Sequence, residues 1–274
     1  MRTIRNLIIT LTLIASLSFA LVGCGLNNER MLVDENRLTV GVFAAIPPFI
    51  YLDAGGNVVG IEAEIAAEFA SDLGVEVYFR NFTDFGAMLL AAQNGTIDVA
   101  MSTITVRLAR LRQMNFTNPY FNAGMQVGAP IGCTVINESM TREQIIAALN
   151  VPGTRIGVHT NTTAQFFVED YLPNATMVPF TNDVTTLEGM RSGNIDFMIA
   201  DNVNLDRLNR VATTQGVMQQ IDVRLSYDQF GYALRKGNYE LLFALNTTLA
   251  RISQDGTLRN IFESRDLLGG IYVA

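Results

Sequence analysis

The feature that most constrains the fold of this chain is a weak internal repeat. Residues 89–103 and 187–201 align without a gap, and both read Leu-x5-Gly-x-Ile-Asp followed by an apolar run. In each copy a helical segment ends at the Gly, and the apolar run is typical of a buried strand. Residues 40–43 and 156–159 form a second pair, in which a short apolar strand has Gly at its second position. The repeat predicts two similar lobes, one in each half of the chain.

The remaining pattern predicts an α/β fold. After residue 36, short β-rich runs alternate with segments of helical period, as in βαβ units. We therefore expect two lobes, each a mostly parallel sheet flanked by helices. Ligands of open parallel sheets bind beyond the carboxyl ends of the strands. The repeat places four residues at such ends, where they are expected to face one another across a cleft: Phe43, Thr103, His159 and Asp201.

Composition excludes several classes of function. The 274 residues carry 19 Lys and Arg against 26 Asp and Glu, a net charge of −7, and only one of the basic residues is Lys. Such a chain lacks the basic surface that nucleic-acid binding needs. It has one His and two Cys, too few for a zinc cluster or a disulfide framework. The sequence also has no glycine-rich phosphate loop. We expect no metal, no cofactor and no nucleic-acid partner.

The N-terminal region reads as an export signal followed by a tether. Residues 1–23 combine two Arg with a 16-residue apolar run, which is shorter than the ~20 residues of a membrane span. Residues 21–24, Leu-Val-Gly-Cys, resemble the lipobox of bacterial lipoproteins, in which the Cys becomes the lipidated N-terminus. We expect Cys24 to carry a lipid anchor, residues 24–36 to form the tether, and the folded body to be extracytoplasmic. Loss of the two signal Arg takes the net charge from −7 to −9.

Polar residues with complementary chemistry cluster at the predicted strand ends. Thr103 and Thr105 precede Arg110, whose planar guanidinium can donate two parallel bonds to a carboxylate. In the other half, the pair Thr162-Thr163 stands before a helical segment, where free N–H groups also favour an anion. Asp201 ends an apolar strand, and a buried carboxylate needs a cation. Each residue alone is equally typical of a helix cap or a surface charge, but together they describe a site for a zwitterionic α-amino acid.

These motifs resemble those of the extracytoplasmic amino-acid-binding proteins of bacterial ABC importers, solute-binding family 3. The likeness extends over nearly the whole chain after the tether. It is carried by these stretches: Leu38-Thr39-Val40-Gly41, Pro47-Pro48-Phe49, Gly60-Ile61-Glu62-Ala63-Glu64-Ile65, Ser102-Thr103-Ile104-Thr105, Phe116-Thr117-Asn118-Pro119-Tyr120, Gly231-Tyr232-Ala233-Leu234-Arg235 and Asp255-Gly256-Thr257-Leu258.

The resemblance implies a two-lobed periplasmic-binding-protein fold whose chain crosses between the lobes twice, near residues 124–129 and 222–228. The first lobe would comprise residues 37–126 and 225–274, and the second lobe residues 127–224. The implied partners are a small-molecule L-amino acid and an ABC transporter permease. A monomer attached to the membrane by its lipid is expected.

The resemblance also implies roles for individual residues. Arg110 and the amides of Thr105 and Thr163 would hold the α-carboxylate of the ligand. Asp201, helped by Thr103, would hold the α-ammonium. These roles agree with those inferred from the repeat.

Departures from the family pattern bear on specificity. Phe43 stands where relatives that bind amide or basic side chains often have an acid, and Ile46 stands where many have an aromatic residue. Phe85 is expected to stack on the ligand side chain, so the pocket would be largely apolar. His159 and Asn202 are the polar exceptions, while basic and acidic side chains find no obvious partner. We therefore expect a neutral L-amino acid.

Three points stay open at this stage. Arg107 falls where relatives often have Thr, and it could face solvent or reach toward an acidic ligand. An enzyme of the same fold, similar to cyclohexadienyl dehydratase, is one alternative function; it needs a general acid in the cleft, a role that His159 could fill. The ligand-sensing domain of a signalling system is the other.

Overall fold

The computed structural model describes residues 30–210, 216–265 and 267. The predicted signal peptide, Cys24 and the first part of the tether lie outside the described residues, so the lipid anchor stays a prediction. The elements below belong to one unit that begins at Leu32. None of the helices found in the described ranges is long and apolar enough to cross a bilayer.

Strands and helices alternate along the described chain. The strands are β1 (Arg37–Val42), β2 (Ala45–Ile46), β3 (Ile50–Leu52), β4 (Val58–Val59), β5 (Glu76–Asn81), β6 (Val99–Ala100), β7 (Met114–Phe116), β8 (Phe121–Ala123), β9 (Met125–Pro130), β10 (Arg155–His159), β11 (Thr176–Phe180), β12 (Phe197–Asp201), β13 (Met218–Ile221), β14 (Asp228–Phe230) and β15 (Ala233–Arg235). The helices are α1 (Ile61–Leu73), α2 (Phe85–Gln93), α3 (Leu108–Leu111), α4 (Arg142–Leu149), α5 (Thr163–Tyr171), α6 (Asp183–Arg191), α7 (Asn202–Arg210), α8 (Tyr239–Gln254) and α9 (Thr257–Glu263).

The first lobe is built on a five-stranded sheet in the order β5-β1-β6-β15-β7. β1 runs parallel to both of its neighbours, and β15 runs antiparallel to β6 and β7. Every residue of β1 after the first is buried, as expected for a strand covered on both faces. Because β15 comes from the C-terminal part of the chain, this lobe combines segments from both ends of the unit.

The second lobe has a matching sheet in the order β11-β10-β12-β9-β13. β10 is parallel to β11 and β12, while β9 is antiparallel to β12 and β13. The core of this lobe contains fully buried side chains from β9, α4 and β10. The predicted two-lobed α/β fold is therefore confirmed.

The internal repeat has a packing explanation. A Cβ atom on Gly41 would lie 2.3 Å from Ile97 Cδ1, and one on Gly157 would lie 2.3 Å from Ile195 Cδ1. Each glycine thus makes room for the Ile of the Gly-x-Ile-Asp motif at the start of the neighbouring strand. The motif's Asp has the same task in both lobes: Asp98 accepts from the backbone N–H of Thr39 at 2.6 Å, and Asp196 accepts from that of Arg155 at 2.8 Å. The motif is therefore repeated because its Ile packs against the glycine of the central strand, and its Asp accepts a hydrogen bond from that strand, in both lobes.

The chain passes between the sheets through two adjacent segments. β8 pairs antiparallel with β14. β9, which follows β8, and β13, which precedes β14, both belong to the second sheet. A Cβ atom on Gly124, between β8 and β9, would lie 2.2 Å from the backbone oxygen of Ser226. The two crossing segments therefore touch backbone to backbone, and only glycine fits at this point.

Candidate functional site

A cavity lies between the lobes, at the carboxyl ends of the central strands. Nine of the ten predicted site residues line it. The lining residues are Ile46, Phe85, Thr103, Thr105, Arg110, His159, Thr162, Thr163, Asp183, Asp201 and Asn204. Phe43 is outside this lining, but its ring lies 6.3 Å from that of Phe85 and 5.7 Å from that of His159. The structure thus brings together residues that are far apart in the sequence.

Arg110 forms one end of the cavity. It is 6% exposed, and its guanidinium donates to the carbonyl of Thr105 and, across the cleft, to that of Asn161, both at 3.0 Å. The guanidinium also lies 5.7 Å from the centre of the Phe85 ring. Burial and the charge of Arg107 lower the pKa of Arg110 to about 10, so the group stays charged at neutral pH. Two of its five N–H donors are used by these carbonyls, which orient the remainder.

The start of α5 lies beside this cation. Thr162 precedes the helix, yet its hydroxyl donates to the carbonyl of His159 at 2.7 Å and does not cap the helix. The hydroxyl of Thr163 is buried and has no hydrogen-bond partner among the described residues. The first N–H groups of α5 thus have no side-chain cap, and such a helix end attracts an anion.

Asp201 is the acidic counterpart, at the end of β12. Its Oδ1 is fully buried and has no hydrogen-bond partner in the described part of the chain. Burial raises the pKa of Asp201 well above its ordinary value, and the charges of Asp228 and Asp183 add to this effect, while Arg110 opposes it. A buried carboxylate with no partner is unfavourable, and a cation in the cavity would relieve it.

Thr103 adopts a strained backbone conformation next to this acid. Its φ angle is +47°, in the left-handed region that β-branched residues rarely occupy. The conformation is held from below by Glu62, whose Oε1 accepts from the Thr103 N–H at 2.9 Å and from the hydroxyl of Tyr120. Strain that is held in place by buried groups is typical of binding sites. Sequence reasoning used Glu62 only as part of a family motif and did not foresee this support.

The third side of the cavity is more polar than predicted. His159 is 5% exposed, its Nδ1 lies 4.0 Å from Asp183 Oδ1, and its Nε2 has no described partner. Burial lowers the pKa of His159, which favours the neutral imidazole, although the charges of Asp183 and Asp84 oppose the shift. Asp183 and Asn204 also line the cavity, and Asn204 Oδ1 is buried and unpartnered among the described residues. The expectation that a basic side chain would find no partner was therefore wrong, since an acid stands in the wall.

Two further expectations need correction. Asn202 does not line the cavity, because its side chain accepts from the N–H of Gly124 at 3.2 Å in the crossing segment. Arg107 does not line the cavity, and its side chain is 24% exposed. Its guanidinium lies 3.5 Å from Asp170 and 4.4 Å from the centre of the Phe166 ring, both on α5 of the opposite lobe. Arg107 therefore joins the lobes at the rim of the cleft.

Comparisons with known proteins agree with this geometry. A family model of bacterial extracellular solute-binding proteins, family 3, matches residues 38–152 and 153–264. The chain is 28% identical over 230 residues to the L-cystine-binding protein TcyJ of Escherichia coli strain K12, covering 84% of this chain and 82% of that protein.

Two solved structures are similar as well. An ancestral arginine-binding protein bound to arginine has a TM-score of 0.74 at 29% identity, covering 84% of this chain and 97% of that one. An ancestral amino acid-binding protein described as a precursor of cyclohexadienyl dehydratase has a TM-score of 0.71 at 27% identity, with coverages of 84% and 94%.

Proposed function

Because the chain belongs to the bacterial extracellular solute-binding proteins of family 3, we propose that it captures a free L-amino acid in the interlobe cavity and delivers it to an ABC transporter. The observation that carries this proposal is the pair of opposite charges at the two ends of the cavity. Asp201 presents a buried oxygen that has no hydrogen-bond partner among the described residues, and Arg110 lies beside the uncapped start of α5. A zwitterionic head group satisfies both ends at once.

The α-carboxylate would lie at the Arg110 end. The guanidinium donors that Thr105 and Asn161 leave free can form two parallel bonds to it. The amides of Thr105 and Thr163 complete the set of donors that we assign to this group. The α-ammonium would lie between Asp201 and Thr103, where it removes the cost of the unpaired carboxylate.

Closure of the lobes would couple binding to transport. Arg110 of the first lobe contacts Asn161 of the second, and Arg107 contacts Asp170, and such contacts across the cleft support a closed form. A ligand that contacts both lobes stabilises the closed state by its differential affinity for that state. The surface of the closed form is what we expect the transporter permease to recognise.

The finer predictions stay part of this proposal. They are a neutral ligand, a lipid anchor at Cys24, an extracytoplasmic monomer, and lobe boundaries at residues 37–126, 127–224 and 225–274. An enzyme remains the second candidate because His159 lies in the cavity with its Nε2 unpartnered among the described residues. Turnover of a cyclohexadienyl substrate is its test.

A thermal-shift screen of the twenty L-amino acids tests the proposal. A ligand present at 100 times its Kd adds about 2.7 kcal/mol to the free energy of unfolding, which a melting curve detects readily. Asp201→Asn and Arg110→Gln should each abolish the shift. Arg112→Gln, which changes an exposed cation beside α3, is the matched control and should retain it. No hit in the screen, or a full shift with either site variant, would refute the proposal.

A further inference from the structure

Glu62 is a buried acid that lies one contact away from the cavity. It stands in the first turn of α1, is fully buried, and does not line the cavity itself. Its Oε1 accepts from the backbone N–H of Thr103 at 2.9 Å and from the hydroxyl of Tyr120. The Tyr120 ring stacks on that of Tyr232, with ring centres 4.6 Å apart, and both residues are buried. A backbone amide and two phenols therefore face the carboxyl.

The groups around Glu62 provide no cation for its charge. Burial and the charge of Glu62 raise the pKa of Tyr120 and that of Tyr232 well above the ordinary value, so both hydroxyls keep their protons. Two cations that pack on α1 contact other acids of that helix. They form the pairs Arg251–Glu68, Arg251–Asp72 and Arg265–Glu64. In the described part of the chain, Glu62 therefore takes part in no ion pair.

Thr103 connects this acid to the cavity. It lines the cavity, as Asp201 does, and its backbone has a φ angle of +47°. The residue before it is fixed, because the hydroxyl of Ser102 accepts from the N–H of Phe43 at 2.8 Å. The bond to Glu62 therefore acts on the peptide group that directs the Thr103 side chain. Since a β-branched residue rarely keeps a left-handed φ, this bond helps to maintain an unfavourable conformation.

We propose that Glu62 is a positioning residue of the amino-acid site, which acts through Thr103 and favours a ligand with an α-ammonium group. The inference rests on the proposed function, because the ammonium must lie between Asp201 and Thr103. An ionised carboxylate accepts the Thr103 N–H more strongly than a neutral carboxyl does, since hydrogen bonds to a charged acceptor are about twice as strong. Its negative charge, buried behind Thr103, also adds to the attraction that Asp201 exerts on the ammonium.

Ligand binding and the charge of Glu62 should therefore depend on each other. Burial raises the pKa of Glu62 to about 7, so at neutral pH a share of the molecules carries a protonated carboxyl. An ammonium beside Thr103 favours the ionised form, so binding should release this proton, and affinity should rise as the pH increases. Burial raises the pKa of Asp201 as well, and an ammonium would also ionise that acid. A comparison between variants isolates the part that belongs to Glu62.

Calorimetric titration at pH 5.5 and pH 8 tests this coupling, with the L-amino acid that binds most tightly in a screen of the twenty. Glu62→Gln keeps a carbonyl oxygen for the Thr103 N–H but carries no charge. We expect this variant to match the affinity of the wild type at pH 5.5 and to bind about three- to tenfold more weakly at pH 8, where the wild-type carboxyl is ionised. Glu64→Gln, which changes an exposed acid on the same helix, is the matched control and should behave as the wild type at both pH values.

Two further measurements use the same ligand. At pH 7, titrations in buffers of different ionisation enthalpy should show that the wild type releases more protons on binding than Glu62→Gln does. Tyr120→Phe leaves the carboxyl in place but removes a hydroxyl whose bond lowers the pKa of Glu62. The rise in affinity should therefore move to higher pH in Tyr120→Phe, a result that can be obtained even if Glu62→Gln fails to fold.

The outcomes separate positioning from a purely structural role and from the function on which it rests. If folded Glu62→Gln loses the same factor in affinity at both pH values, or loses none at either, Glu62 only supports the fold and the inference is refuted. A pH profile of affinity in Tyr120→Phe that coincides with that of the wild type also refutes it. Amino-acid binding stands in both cases. If none of the twenty amino acids binds the wild type, the proposed function itself fails.

Discussion

Replacing Glu62 by Gln is expected to stabilise the protein at pH 8 and to leave its stability nearly unchanged at pH 4.5. Glu62 is fully buried on α1, and burial raises the pKa of its carboxyl from 4.5 to about 7, although bonds from Tyr120 and Thr103 oppose the shift. A carboxyl whose pKa is higher in the folded state favours folding while it is protonated. The stabilisation is complete below about pH 4.5 and is lost as the pH rises through about 7.

The size of the effect follows from the same two pKa values. The difference between 4.5 and about 7 corresponds to about 3 kcal/mol of unfolding free energy, which the ionised Glu62 costs at pH 8. Gln keeps a carbonyl oxygen to accept from the Thr103 N–H and the Tyr120 hydroxyl, and it carries no charge. Its amide replaces the protonated oxygen, so Gln is close to neutral Glu in its bonding.

Urea unfolding of both proteins at pH 4.5 and pH 8 measures this effect as a difference, which cancels the titration of all other groups. Glu64→Gln is the matched control on α1. Glu64 is exposed and paired with Arg265, so its replacement should bring no gain at pH 8. If the difference in unfolding free energy between Glu62→Gln and the wild type is the same at pH 4.5 and pH 8, the buried carboxyl does not titrate as argued.

Three further changes have defined outcomes. Arg107→Ala removes the contact with Asp170 across the cleft, and release of a radiolabelled amino acid should become about three- to tenfold faster; an unchanged release rate would exclude this contact as a clasp. Gly124→Ala places a Cβ 2.2 Å from the backbone oxygen of Ser226, and thermal melting should show a loss of about 1–3 kcal/mol. Gly157→Ala places a Cβ 2.3 Å from Ile195 Cδ1 and should lower the free energy of unfolding by a similar amount. If this variant melts at the wild-type temperature, the close contact between Gly157 and Ile195 is contradicted.

The fold and the position of the cleft could be predicted because their signals are local. The Gly-x-Ile-Asp motif appears twice because each copy holds a central strand, through Asp98 in one lobe and Asp196 in the other. The carboxyl ends of the strands then indicate where the cleft lies, and this inference does not depend on side-chain conformation. This is why residues as distant as Thr103 and Asp201 could be assigned to one cavity.

The rest of the cavity depends on side-chain direction and on contacts between the lobes, which sequence patterns do not contain. Asp183 begins α6 after the capping residue Asn182, so it reads as an ordinary acid in a first helical turn. Asn204 enters the cavity and Asn202 does not, because two residues along a helix change the direction by about 200°. The contact between Arg107 and α5 forms only when the lobes meet.

Calorimetric titration with a matched pair of ligands tests the central claim, that an amino-acid head group lies between Arg110 and Asp201. The pair is the best L-amino acid of the screen and the same molecule without its α-amino group, each titrated into the wild type and into Asp201→Asn. In the wild type, loss of the amino group should weaken binding by about 2–5 kcal/mol, because it leaves a buried carboxylate unpaired. In Asp201→Asn the same loss should cost less than about 0.5 kcal/mol, within the range expected when no direct coupling exists. An equal loss in both proteins would contradict the account, since the ammonium would then lie elsewhere.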